Sequence, residues 1–219
     1  RSSTGDVGIK LRKRGYTLDV RRPVIGEKLP ENMDEHDLAV IYGGPPSAND
    51  DLDYIKYEID WISKVLESNK PFLGICLGAQ MLAKNLGGSV QKSHDLTLEI
   101  GFFDINPTGD GHKMFQSQKK FFQWHREGFT VPRTCEILAK GDLFREQAFR
   151  YKNALAIQFH PEVNLKMHLR WLYYAGYMLK EKGAQNRREQ LTHRLKHGKK
   201  INLWLDSFLD NYLLKDINS

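Results

Sequence analysis

One segment, residues 71–88, constrains the fold more than any other part of the chain. Its sequence is PFLGICLGAQMLAKNLGG. The apolar run PFLGIC is typical of a buried strand. The pattern LGAQMLAKNLGG that follows is typical of a helix, which two glycines end. A strand that gives way to a helix is the repeating unit of a sheet covered by helices.

The same alternation occurs earlier in the chain. DVGIKLRKRG predicts a helix that Gly15 ends, and YTLDVRR predicts the strand after it. HDLAVIYGG predicts a further strand, and YIKYEIDWISKVLESNK predicts a helix from its apolar spacing. Its apolar positions are Ile55, Ile59, Ile62, Val65 and Leu66. We therefore predict an α/β fold.

The second half of the chain has a different pattern. From about residue 89 to 160, short apolar segments predict strands of a mixed or antiparallel region: LEIGFFDIN, KKFFQWH, CEILAKG, AFRYKN and ALAIQFH. The remainder is helical, with an apolar face near the end and an aromatic cluster, WLYYAGY, that we interpret as helix packing. We expect a main domain over residues 1–163 and a C-terminal helical extension over 164–219, packed on the same domain.

The composition is that of an ordinary globular protein. The chain has 219 residues, of which 40% are hydrophobic and 27% are charged. No apolar stretch approaches the roughly 20 residues of a membrane helix, and the chain does not open on a secretory signal. Two cysteines allow at most one disulfide. We expect a cytoplasmic protein without a membrane partner.

The formal net charge is +6, and residues 181–200 hold seven Lys and Arg against two Glu. Such a stripe can contact nucleic acid, but a solvated helix face is the simpler interpretation, so we expect no nucleic-acid partner. The chain has no P-loop pattern and no histidine spacing typical of metal sites. We predict neither a cofactor nor a metal.

Cys76 is the first candidate for chemistry. It stands between Gly74 and Gly78, where the predicted strand meets the predicted helix. A sharp strand-to-helix turn needs neighbours without bulk, as in the nucleophile elbow of hydrolases. Such a turn exposes the thiol beside a helix N-terminus, which can stabilise a thiolate. Cys135, by contrast, is interpreted as structural.

A cysteine nucleophile needs a base, and the base is usually oriented by a third group. His160 ends the predicted strand ALAIQF, and Glu162 follows two residues later across Pro161. The carboxylate can therefore reach one ring nitrogen while the other faces a thiol. The glycine-rich turn in IYGGPPSAND is either a simple tight turn or a loop whose Gly44 N–H approaches a substrate carbonyl.

These segments, together with FQWHREGF, resemble the class I glutamine amidotransferases, and especially stand-alone members similar to the glutaminase domain of GMP synthase. The resemblance covers roughly residues 5–163. It implies a flavodoxin-like three-layer sandwich: a central, mostly parallel sheet flanked by helices, followed here by C-terminal helices.

The resemblance also implies an activity, which is hydrolysis of the side-chain amide of L-glutamine. Cys76 would attack the amide carbon and form a γ-glutamyl thioester with release of ammonia, and water would then free glutamate. His160 would act as general base and acid, oriented by Glu162. The N–H groups of Gly44 and Leu77 would form the oxyanion hole. The remaining implied substrate contacts are Gln80 and the segment Trp124, His125 and Arg126. A separate synthase subunit would receive the ammonia.

Two features depart from the family pattern. Family members open with a strand before the segment that matches STGDVGIKL, and that strand, expected in the middle of the sheet, is missing from this sequence. Its neighbours would carry unpaired backbone groups. In addition, Pro46 stands where many relatives have glycine, which removes one backbone N–H from the loop.

Two other functions remain open. A γ-glutamyl hydrolase or peptidase would use the same Cys-His-Glu chemistry on a different γ-glutamyl bond. A non-catalytic module that retains the fold is the third alternative, although all three catalytic residue types are present. The sequence leaves the ammonia acceptor open.

Overall fold

The computed structural model describes residues 3–215 and residue 217. The helices are α1 (Gly5–Lys13), α2 (Asp53–Glu67), α3 (Leu77–Asn85), α4 (Gly111–Met114), α5 (Leu165–Tyr174) and α6 (Arg187–Phe208). The strands are β1 (Ala39–Ile41), β2 (Phe72–Ile75), β3 (Ser89–Lys92), β4 (Glu99–Asp104), β5 (Asn106–Pro107), β6 (Lys120–His125), β7 (Glu127–Thr130), β8 (Glu136–Lys140), β9 (Glu146–Tyr151) and β10 (Ala154–Ile157). Short helical turns cover Pro23–Ile25, Gly176–Lys180 and Leu209–Leu213.

The main sheet is mixed. Its strands follow the order β1-β2-β10-β9-β7-β3, while β8 pairs with both β9 and β5. The pairs β1/β2 and β2/β10 are parallel, and the other pairs are antiparallel. β4 and β6 form a separate antiparallel pair. Only two residues join β9 to β10, and so short a connection permits only antiparallel neighbours.

Helices cover both faces of this sheet. Successive side chains of β2 point to opposite faces and enter two different cores. Leu73 and Ile75 face a core that includes residues of α1 and α6, whereas Phe72 faces a core that includes residues of α2 and α3. The α/β fold with flanking helices is therefore confirmed. We expected a mostly parallel sheet, but the observed sheet is mixed, and only β1, β2 and β10 are parallel to each other.

The C-terminal helix α6 begins at a capping box, in which Asn186 and Glu189 bond to each other's backbone N–H. Its apolar side chains join the core on the α1 face, and the indole N–H of Trp204 donates to the carbonyl of Met114 at 2.8 Å. The division of the chain at residue 163 stays a prediction. Within the described residues, every helix is too short or too polar to cross a membrane.

The strand predicted for YTLDVRR is not formed, and this prediction was wrong. A strand needs a neighbour for its backbone hydrogen bonds. Among the described residues, β1 pairs with β2 on one side, and no segment pairs with its other edge. Residues 16–22 instead line, together with β1, a cavity of about 1660 Å³ that continues to Cys76.

Candidate active site

Cys76 forms the elbow between β2 and α3. Its backbone has φ 52° and ψ −103°, a conformation that a non-glycine residue adopts only where the surroundings enforce it. Its N–H donates to the carbonyl of Ile157 at 2.8 Å, which ties the elbow to β10. The residue with the strained backbone conformation is therefore Cys76 itself.

Gly74 and Gly78, which flank Cys76, allow α3 to pack closely against the sheet. A Cβ on Gly74 would lie 2.6 Å from the carbonyl oxygen of Gly78, and a Cβ on Gly78 would lie 2.1 Å from that of Ile41. Both distances are far too short for non-bonded atoms. The first turn of α3 can therefore press against β1 and β2 only because these two positions carry no side chain.

His160 and Glu162 form a buried pair just beyond β10. Nδ1 of His160 lies 2.8 Å from Oε1 of Glu162, and the two residues are 2% and 3% exposed. The backbone N–H of His160 donates to the carbonyl of Phe122 at 2.8 Å, which fixes the start of this turn. Nε2 of His160 makes no hydrogen bond within the described residues, so it is available to a nucleophile.

The surroundings of Gly43 show that His160 and Cys76 lie close to each other. A Cβ on Gly43 would lie 2.7 Å from Cε1 of His160 and 3.3 Å from Cβ of Cys76. Burial lowers the pKa of His160, but the charges of Glu162 and Cys76 raise it more, to about 10. The neighbouring carboxylate therefore favours the protonated form of the imidazole beside the thiol.

The two residues predicted for the oxyanion hole also lie together. A Cβ on Gly44 would contact Cδ2 of Leu77 at 3.3 Å. Leu77 is the first residue of α3, so its N–H has no acceptor within the helix. The structure thus brings both residues beside Cys76, while their role as an oxyanion hole stays a prediction.

Sequence reasoning missed the contacts that hold the Gly44 loop. The hydroxyl of Ser47 donates to Oε2 of Glu127 at 2.6 Å. The ammonium of Lys84 donates to the carbonyl of Ala48 at 2.9 Å. These side chains lie 80 and 36 residues from their partners, so no local pattern could have indicated them.

Gln80 lies on the first turn of α3 and lines the same cavity as Cys76. Its Nε2 donates to the carbonyl of Glu127 at 2.9 Å and to Oε1 of Gln158 at 3.3 Å. Because the Glu127 carbonyl can only accept, the orientation of this amide is fixed. Neither of these two bonds uses Oε1 of Gln80.

The segment predicted to receive the substrate, Trp124 to Arg126, lines the same cavity as Cys76, and its three side chains differ in exposure. Trp124 is half-buried and lines the cavity. The His125 side chain is only 2% exposed and lies beside Glu99 and Gln123 in the interior. Arg126 is exposed, and its guanidinium lies 4.0 Å from Sδ of Met178.

Trp171 is the other residue that sequence reasoning missed. The ring of this α5 residue meets His160 edge to face, with centroids 5.0 Å apart, and meets Trp124 at 5.7 Å. Trp171 thus packs against the candidate base. The interpretation of WLYYAGY as helix packing fails for Tyr173, Tyr174 and Tyr177, which are 77%, 70% and 70% exposed.

A metal has no evident place in this site. Within residues 3–215 and 217, no cluster of three or more His, Cys, Asp or Glu side chains is arranged to hold one. The residues that the site brings together are a thiol and a buried imidazole–carboxylate pair.

Known proteins show similar sequences and structures. A glutamine amidotransferase-like protein of Salmonella typhimurium is 30% identical over 164 residues, which are 70% of this chain and 68% of that protein. One subunit of the glutamine-hydrolysing GMP synthase of Sulfolobus acidocaldarius is 32% identical over 142 residues, 63% of this chain and 73% of that subunit. Gamma-glutamyl peptidase 4 of Arabidopsis thaliana is 31% identical over 164 residues, 70% of this chain and 65% of that protein.

The crystal structure of a glutamine amidotransferase from Thermotoga maritima superposes with a TM-score of 0.86 and 30% sequence identity. The match covers 96% of this chain and 93% of that one. The family model described as glutamine amidotransferase class-I matches residues 6–175, which include the elbow, the Gly44 loop and the His160–Glu162 pair. The chain therefore belongs to the class I glutamine amidotransferases.

Proposed function

We propose that this chain is a glutaminase in which Cys76, His160 and Glu162 hydrolyse the side-chain amide of L-glutamine. The observation that carries the proposal is the convergence of three separate segments at Gly43, where a single Cβ would contact both His160 and Cys76. Glu162 holds the remaining ring nitrogen of His160. This is the arrangement that an activated nucleophile requires.

The reaction has two halves. Cys76 gives its proton to Nε2 of His160 and attacks the carboxamide carbon, and the imidazolium then protonates the departing ammonia. The result is a γ-glutamyl thioester. In the second half, neutral His160 takes a proton from water, the hydroxide attacks the thioester, and glutamate leaves as the proton returns to the Cys76 sulfur.

The transition states carry negative charge on the carbonyl oxygen. We propose that the N–H groups of Gly44 and Leu77 stabilise this charge, since the two residues are in contact beside the nucleophile and Leu77 begins a helix. The bond from Ser47 to Glu127 and the bond from Lys84 to the carbonyl of Ala48 would keep the Gly44 N–H in place. Gln80, Trp124 and the backbone near Arg126 would bind the amino-acid end of glutamine.

The test compares ammonia and glutamate release by the wild-type protein, Cys76→Ser and Cys135→Ser. We expect Cys76→Ser to lose about 10³-fold or more of the activity, because the nucleophile acts as a unit with its base. The Cys135→Ser control should remain close to wild type. Mass spectrometry should find the diazo-oxo-norleucine adduct on Cys76. Equal activity of Cys76→Ser and wild type would refute the proposal.

We further propose that the ammonia passes to a separate synthase. The sequence contains no P-loop that could activate an acceptor with ATP, and the Sulfolobus relative is named as one subunit of a GMP synthase. The measurement is the rate of glutamine hydrolysis with and without candidate synthases. Both cysteines are free thiols, which fits the cytoplasmic setting that we propose.

A γ-glutamyl peptidase is the second candidate. The cavity that Cys76 lines has a volume of about 1660 Å³, and Trp124, Trp171 and Tyr174 also line it, which is more room than an ammonia leaving group needs. The Arabidopsis relative carries the name of a γ-glutamyl peptidase. Cleavage of γ-glutamyl peptides without ammonia release from glutamine, even with synthases present, would favour this candidate over the first.

A further inference from the structure

His125, which lines the same cavity as Cys76, forms a second buried histidine and glutamate pair with Glu99. The antiparallel register of β4 and β6 places Glu99 opposite His125. Oε2 of Glu99 lies 3.1 Å from Nε2 of His125, and the two side chains are 5% and 2% exposed. A buried pair of this kind is costly unless every polar atom around it is satisfied.

The neighbouring amides have only one orientation that satisfies them. Nε2 of Gln147 faces Glu99 at 2.9 Å and the carbonyl of Phe144 at 3.1 Å, and the carbonyl can only accept. Oε1 of Gln147 must therefore face Gln123, whose Nε2 donates to it at 2.7 Å. It follows that Gln123 presents Oε1 to His125, at 3.1 Å from Nε2.

Both ring nitrogens of His125 consequently face acceptors. Nε2 faces Gln123 Oε1 and Glu99 Oε2, and Nδ1 lies 3.0 Å from the carbonyl of Glu127. Beside an ionised Glu99, a neutral imidazole has one N–H and would leave one of these sites unpaired, whereas an imidazolium has two. The ring of Phe144, whose centroid lies 4.9 Å from that of His125, packs against it and carries no charge.

This pair is connected to the substrate-binding side through Glu127. The carbonyl that accepts from His125 also accepts from Nε2 of Gln80, and the carboxylate of the same residue holds Ser47 of the Gly44 loop. His125 thus fixes a main-chain oxygen that in turn orients Gln80.

We propose that Glu99 and His125 form a buried carboxylate–imidazolium pair that positions Gln80 for the amino-acid end of the substrate. Both are positioning residues, because they act through Glu127 and Gln80 and do not touch the reacting atoms. The inference rests on the proposed glutaminase function. It goes beyond that function by assigning the binding of glutamine to a charge pair outside the Cys76, His160 and Glu162 triad.

The charge state can be tested without any activity measurement. Two-bond ¹H–¹⁵N spectra of the wild-type protein should show both His125 ring nitrogens protonated at pH 7, because both face acceptors. In Glu99→Gln, one of the two nitrogens should carry no proton at the same pH. A wild-type His125 with an unprotonated nitrogen at pH 7 would overturn the inference.

The positioning role is tested by steady-state kinetics on glutamine. Glu99→Gln should raise KM about tenfold or more and change kcat less than about threefold, because an interaction made equally in ground and transition states is weakened. Glu136→Gln, in an ion pair with Arg150 elsewhere on the sheet, is the matched control and should leave both values near wild type. A fall in kcat with unchanged KM would overturn the positioning role. A wild-type protein that is inactive on glutamine would instead refute the proposed function, and the spectra would still decide the charge pair.

Discussion

Nδ1 of His160 lies 2.8 Å from Oε1 of Glu162 in a site that excludes solvent from both side chains. The carboxylate therefore orients the imidazole and stabilises its protonated form. We expect Glu162→Gln to reduce glutamine hydrolysis by about 10²-fold to 10⁴-fold, since the amide keeps the shape but selects the wrong tautomer. Steady-state ammonia release measures this.

Circular dichroism and the thermal unfolding midpoint of Glu162→Gln provide the control, because a folded variant is required for the comparison. A folded Glu162→Gln protein with activity within about threefold of wild type would show that the carboxylate has no orienting role.

The bond between Ser47 and Glu127 gives a second prediction. Ser47→Ala removes a hydrogen bond to a carboxylate and loosens the loop that carries Gly44. We expect kcat for glutamine to fall about tenfold, which corresponds to an activation free energy that is higher by about 1.5 kcal/mol. Ser89→Ala, which removes an exposed hydroxyl contact with Thr130, is the matched control. A decrease of the same size in both variants would contradict the assignment.

Trp171 allows the C-terminal helices to be tested as part of the site. Trp171→Ala removes the ring that meets His160 edge to face. We expect about tenfold lower kcat and a free energy of unfolding lower by about 2 kcal/mol, while Trp171→Phe restores much of both. The exposed neighbour gives the control variant Tyr173→Ala. Unchanged kinetics in Trp171→Ala would show that α5 does not contribute to catalysis.

His168 predicts how stability depends on pH. Burial lowers its pKa to about 4, and its Nε2 bonds to Oε1 of Gln190 at 3.0 Å. Between pH 4 and about 6.5 the unfolded chain binds a proton at this residue that the native protein does not, so stability falls as the pH falls. We expect a loss on the order of 2 kcal/mol across this range.

Urea unfolding at several pH values measures this slope. His168→Gln should be less stable at pH 7 but should show a shallower decline towards pH 4. His94→Gln, on an exposed residue, should keep the wild-type slope. Parallel declines in wild type and His168→Gln would assign the acid sensitivity to other groups.

Gly78 tests the packing of the elbow. In Gly78→Ala the new Cβ would meet the backbone of Ile41 at 2.1 Å, and backbone atoms cannot rotate away. We expect a loss of about 3 kcal/mol in the free energy of unfolding, at the upper end for overpacking, together with loss of activity. Gly176→Ala meets only the end of the Arg187 side chain at 3.6 Å and should be nearly neutral. A stable Gly78→Ala would show that α3 can move away from β1.

Some parts of the site could be predicted from sequence because their geometry is local. Cys76 and its glycine neighbours span five residues, and His160 and Glu162 are separated by one, so residue type and spacing identified them. The directions of side chains could not be predicted in the same way. That the backbone around His125 receives the substrate stays a prediction, whereas the position of the His125 side chain beside Glu99 follows from the register of β4 and β6.

Local sequence patterns were enough to predict the α/β alternation, the strand-to-helix turn at Cys76 and the resemblance to the family, because apolar periodicity and short motifs reflect local backbone geometry. Four features became evident only from the tertiary structure. They are the mixed sheet, the absence of a strand at residues 16–22, the contact of Trp171 with His160 and the pairing of Glu99 with His125. These depend on which distant segments become neighbours. That choice is made by strand register and packing over the whole core, which no local pattern encodes.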